Sequence, residues 1–89
     1  MENATAAVLD GLGWIGAAFI LTGYLLVSFR KIAPDSYTYQ GLNISASILL
    51  LINTMYYGAY PSSFVNAVWA VIGVVAVAAV VRKNAKNIS

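Results

Sequence analysis

Apolar residues come in three long runs, separated by short polar or turn-forming segments. The first run extends from about Val8 to Phe29 and stops at Arg30-Lys31. The second extends from about Tyr39 to Tyr60, and the third from about Phe64 to Val81, where Arg82-Lys83 ends it. Each is roughly 18–22 residues, the length a helix needs to cross about 30 Å of hydrocarbon. Apart from Asp10, at the edge of the first, none holds a charged residue. A helix satisfies its own backbone in lipid, whereas three strands cannot close a barrel. The pattern predicts an all-α membrane protein, a bundle of three transmembrane helices forming a single domain over residues 1–89.

The breaks carry turn chemistry. Ala33-Pro34-Asp35-Ser36 divides the first two runs; Pro34 fixes φ, and Asp35 or Ser36 offers a cap to the next helix. Gly58-Ala59-Tyr60-Pro61-Ser62-Ser63 divides the second and third. Gly58 suits a helix C-terminus, Pro61 a first helical turn, and Ser62 or Ser63 a cap. Both connections are short, so neighbouring helices run antiparallel. The segment before the first run carries Glu2 and no Lys or Arg, unlike the basic start of a cleaved signal peptide, so the first run is expected to stay as a span.

Composition agrees. Of the 89 residues, 61% are hydrophobic and only 9% charged, against about 45–50% and about 25% in soluble domains. A soluble chain this short could not hide so much apolar surface. There is no Cys and no His, which removes disulfides, thiolate nucleophiles and histidine acid–base chemistry. With the three carboxylates near the membrane faces, neither catalysis nor a metal or cofactor is expected. The net charge of +2 is small, and nucleic acid is not an expected partner.

All five basic residues, Arg30, Lys31, Arg82, Lys83 and Lys86, follow the first and third runs. In a three-span chain these ends lie on one side, so the positive-inside rule places the C-terminus in the cytoplasm and the N-terminus outside. Tyr37, Tyr39, Tyr56, Tyr57 and Tyr60 bracket the second run, as interfacial aromatics do.

No ionisable acid or base lies at mid-membrane depth, so a carboxylate proton relay has nothing to run on. Neutral polar groups remain. At about 100° per residue, Asn43, Ser47, Asn53, Thr54 and Tyr57 share about a third of the second helix, while Ser45 points elsewhere. Asn66, Trp69, Gly73 and Val77 form one stripe on the third helix. Gly13, Gly16, Ala17, Ile20, Gly23, Tyr24 and Val27 form another on the first, and its small residues suit close packing. Two readings of the polar stripe stay open. In one, the side chains hydrogen-bond between helices; in the other, they line a wet cavity that binds a neutral polar solute. Three helices pack against one another and leave no path, so a chain that moves a solute must assemble. The simplest closed assembly is a parallel two-fold homodimer of 3+3 helices.

Tyr57-Gly58, Pro61 and Asn66, together with Gly13-Trp14-Ile15-Gly16-Ala17-Ala18-Phe19, carry a family resemblance. Over roughly Gly13 to Val81 the chain resembles the bacterial SemiSWEET half-transporters and the wider PQ-loop class. It differs in two places. Val27-Ser28 stands where that family has its Pro-Gln pair, and Thr54, beside Asn53, stands near its substrate-stacking tryptophan. The resemblance implies a homodimeric half-transporter of the bacterial cytoplasmic membrane, passing a small neutral solute by alternating access. Asn66 would bind that solute from both protomers, with Asn53, Thr54 and Trp69 around it and Gly23 as the hinge of the first helix. A small structural or accessory membrane protein is the alternative.

Overall fold

The computed structural model describes residues 2–88, and the side-chain surroundings of residues 3–85. Three helices account for nearly all of it: α1 (Glu2–Ser28), α2 (Tyr37–Tyr56) and α3 (Tyr60–Ile88). The element count and order match the hydrophobic pattern. The boundaries differ, because α1 starts six residues before the apolar run and α3 continues seven past it, through polar sequence with no breaker in it.

The ends follow local chemistry. At the end of α1, Lys31 N–H reaches back to Leu26 O and Arg30 N–H to Val27 O, with Arg30 at φ 59°. This is a Schellman motif closed by a residue with a Cβ where glycine is the usual choice. The end of α2 repeats it with the expected glycine: Ala59 N–H donates to Thr54 O, Gly58 N–H to Met55 O, and Gly58 sits at φ 70°. Of the two capping residues expected before α2, Ser36 is the one used; its Oγ accepts from Tyr39 N–H at 3.1 Å. Pro61 falls in the first turn of α3, but Ser63 is not a cap. Its hydroxyl turns towards Ala59 O and Thr54 Oγ1.

The middle helix in sequence is also the middle helix in space. α2 packs on both neighbours, and among the described residues no Cα of α1 lies within 8 Å of one in α3. Two adjacent columns of α2, each repeating every seven residues, make these contacts. Tyr39, Ala46 and Asn53 turn towards α1, meeting it at Gly23, Gly16 and Gly13. Gln40 and Thr54, with Ile44, turn towards α3, meeting it at Gly73 and Ser63. Columns one residue apart lie about 100° apart on a helix. The three helices therefore form a bent layer, with a groove between α1 and α3 whose floor is the next column of α2: Asn43, Leu50 and Tyr57. The buried residues cluster at these seams, where Ala46 is 0% and Ser47 1% exposed.

Asn3–Ser28 and Tyr60–Ala85 are long and apolar enough to cross a membrane, with mean hydropathies of 1.7 and 2.5. They leave large apolar side chains exposed, Val8, Leu21, Leu25, Val71 and Val75 among them. A water-exposed chain would not tolerate this, and the helices are consistent with a membrane protein. α2 is long enough to span but less apolar, because Gln40, Asn43, Ser47, Asn53 and Thr54 lie within it. Its flanking helices cover most of those groups.

Candidate functional site in the groove between α1 and α3

Each sequence-predicted residue has a definite place. Asn53 sits at the α1–α2 seam, where Nδ2 donates to Leu9 O at 2.8 Å. Gly13 makes this possible: a Cβ there would stand 2.7 Å from that nitrogen. Leu9 O belongs to a helix interior, but a carbonyl has a second lone pair to offer. Thr54 sits at the other seam. Its Oγ1 lies 2.7 Å from Leu50 O and accepts from Ser63 Oγ at 2.8 Å. Its single proton is committed within the helix, and its interhelical contact is to α3.

Asn66 lies in a shallow depression with Pro61, Ser62 and Val65, near the start of α3. Among the described residues its side-chain amide makes no hydrogen bond. Trp69, one turn further along, reaches across to α1 and lines a hollow with Gly23, Tyr24, Tyr39 and Asn43. Gly23 is buried there, and a Cβ on it would meet the Tyr39 ring at 3.4 Å, an ordinary contact. α1 runs through Gly23 as continuous helix.

The predicted residues thus divide. Asn53 and Thr54 serve different seams, and Trp69 and Gly23 share one hollow. Asn66 adjoins Trp69 along α3. Residues that the sequence reading named in its stripes but left out of the expected binding set shape the groove itself. Asn43 lies at its floor against Trp69, and Tyr24 is on its wall. Towards the N-terminal end of α1 a second hollow follows along the same side, about 350 Å³ in volume, bordered by Asp10, Trp14, Asn53 and Tyr57. There the Tyr57 hydroxyl donates to Asp10 Oδ1. The signal was present: Asn43, Leu50 and Tyr57 recur every seven residues, and so do Asp10, Ala17 and Tyr24. Both columns face one groove only because α2 lies between its neighbours, which sequence spacing alone does not say.

Among the described residues, Gln40 is the buried side chain with an unfilled polar atom. Nε2 donates to Pro34 O at 3.1 Å, which ties the α1–α2 connection to α2, while Oε1 is without a partner. That oxygen lies against Gly73 of α3, whose Cα–H groups offer a weak contact.

A groove walled by neutral amides, phenols and indoles can hold a polar solute through hydrogen bonds and ring contacts. Among the described residues no group of three His, Cys, Asp or Glu side chains could hold a metal ion. The chain belongs to an uncharacterised protein family, whose model matches residues 9–84. No curated protein and no solved structure matches it.

Proposed function

We propose that the protein is a dimeric half-transporter that passes a small neutral polar solute across a bacterial cytoplasmic membrane by alternating access. The observation that carries this reading is the open groove. Asn43 lies at its floor, with Tyr24 and Trp69 on its walls. A polar amide left open beside two aromatic rings at that depth is costly unless something polar visits it. One layer of three helices cannot enclose the groove, and a second copy related by a two-fold axis closes it. All spans then run three and three, with the N-terminus outside and the basic ends of α1 and α3 in the cytoplasm.

In this reading Asn66, Asn43 and Trp69 contact the solute, Asn53 borders the outer mouth, and Thr54 holds α3 to α2. Gly23 lets α1 bend over Tyr39. A second reading, a non-transporting accessory membrane protein, is favoured by the hydrogen bonds that Asn53, Thr54 and Ser63 make within the chain. Those bonds are the glue that such a protein needs.

The test uses the absence of native cysteine. Single cysteines at positions 43 and 66 are exposed to a small hydrophilic thiol reagent in proteoliposomes, with and without a panel of sugars, polyols and amides. The transporter reading expects labelling at both positions, slowed by a solute that the wild type also takes up and that Asn66→Ala takes up more slowly. Silent cysteines, or uptake no faster than in empty liposomes, favour the accessory reading.

A further inference from the structure

We propose that the hollow at the N-terminal end of the groove binds a small organic ammonium ion, gripped between the Asp10 carboxylate and the Trp14 ring. Asp10 is the one carboxylate inside the first apolar run, and Trp14 follows it by four residues. That spacing puts acid and indole on one face of α1, a turn apart. Both border the 350 Å³ hollow, with Asn53 and Tyr57 opposite them on α2.

Two donors of this hollow are already used: Tyr57 gives its proton to Asp10 Oδ1, and Asn53 Nδ2 gives one of its two to Leu9 O. The lining residues carry one negative charge, that of Asp10, and no positive one, beside an indole ring. Such a lining suits a cation. The Tyr57 hydroxyl also engages one carboxylate oxygen, and its ring packs edge-on against Tyr56, with ring centroids 4.9 Å apart.

No cation of the described residues fills this role. Arg30 and Lys31 lie at the far end of α1, about 30 Å away at 1.5 Å per residue, and Arg82 and Lys83 lie at the same far end of α3. A bare divalent metal ion would want several oxygen ligands, and one carboxylate does not supply them. An ammonium carrying alkyl groups matches better. Its charge meets Asp10 and the Trp14 face, and its carbons meet Ala17 and Leu50. The site lies at the mouth of the groove, apart from Asn43 and Asn66, and does not depend on transport.

The experiment uses the full chain in maltoside micelles. Trp69→Phe leaves Trp14 as the sole tryptophan, and its emission is followed during titration with choline. The uncharged carbon isostere 3,3-dimethylbutan-1-ol and sodium chloride serve as controls. The expected result is a saturable change with choline and at least tenfold weaker binding of the isostere. Asp10→Asn should weaken choline at least tenfold, and Tyr57→Phe should weaken it less. Calorimetry on Trp14→Leu, with helicity checked by circular dichroism, should show the same loss without the reporter. Equal binding of the neutral isostere, choline binding unchanged in Asp10→Asn, or no saturable response each overturns the proposal. None of these readouts involves uptake, so the transport reading stands or falls separately.

Discussion

Gly16→Ala is the sharpest test of how the helices meet. Gly16 is buried in α1, and an added Cβ would lie 3.0 Å from Leu50 Cγ, 3.2 Å from Ala46 O and 3.3 Å from Leu49 Cβ. Each contact is a few tenths of an ångström too short. The carbonyl is main chain, and Ala46 itself is completely buried, so that neighbour cannot swing away. Overpacking of this kind costs about 1–3 kcal/mol. Against it stands the gain from replacing a mid-helix glycine, about 0.5–1 kcal/mol. The clash wins, and the variant should lose about 1–2 kcal/mol net. Gly11→Ala supplies the control, because nothing lies within 4 Å of its Cβ position; it should gain the propensity term alone. Gly23→Ala meets the Tyr39 ring at 3.4 Å and Leu42 Cδ1 at 3.8 Å, both ordinary distances, and should fall near neutral. The assay is loss of helicity in maltoside micelles titrated with dodecyl sulfate. If Gly16→Ala proves as stable as Gly11→Ala, α1 and α2 do not pack in this register.

Four further outcomes follow from the same kind of contact. Arg30→Gly should stabilise the chain by about 1 kcal/mol, since a residue with a Cβ is strained in the left-handed region, and Gly58→Ala should cost a similar amount for the same reason; both are read in the same titration. Thr54→Val should cost only about 0.6 kcal/mol, the average for a hydrogen bond between membrane helices, because Ser63 keeps Ala59 O as an acceptor. Asn53→Ala should cost more, up to about 1.7 kcal/mol, and should quicken amide hydrogen exchange around Leu9 and Gly13, where its amide now bridges α1 and α2.

The number of helices, their order and both turns were legible in the sequence, because twenty-residue apolar runs and a Pro or Gly between them leave few alternatives. The close-packing stripe on α1 was legible too, since Gly13, Gly16 and Gly23 all meet α2. The roles of the polar residues were not. Helical periodicity places Asn53 and Thr54 on one third of α2, yet they serve opposite neighbours, because α2 lies between two helices and its one polar arc is shared. Asn43 was read as one member of that stripe, and its separate place on the groove floor depends on where α1 and α3 sit. Asp10 was read as an edge charge; the Tyr57 hydroxyl that fixes it comes from 47 residues away.

The shape of the layer also predicts how two copies would meet. The back of α2, with Gly41, Ser45, Ile48 and Ile52, is exposed and lies opposite the groove. The groove side carries Asn43, Tyr24 and Trp69. Burying the polar side between two copies removes amides and indoles from lipid, whereas burying the back would leave them in it, so in the proposed dimer the two-fold axis would fall on the groove side. The protomer is about 21 Å through its thinnest direction. Spin labels at position 48 should then stand about two such thicknesses apart, and labels at position 72, on α3 one turn from Trp69, should lie well inside that distance. Pulsed electron resonance in liposomes measures both. Labels at position 48 closer together than those at position 72 would mean that the chains join back to back. The groove would then face lipid, and the transport reading would lose its enclosed path.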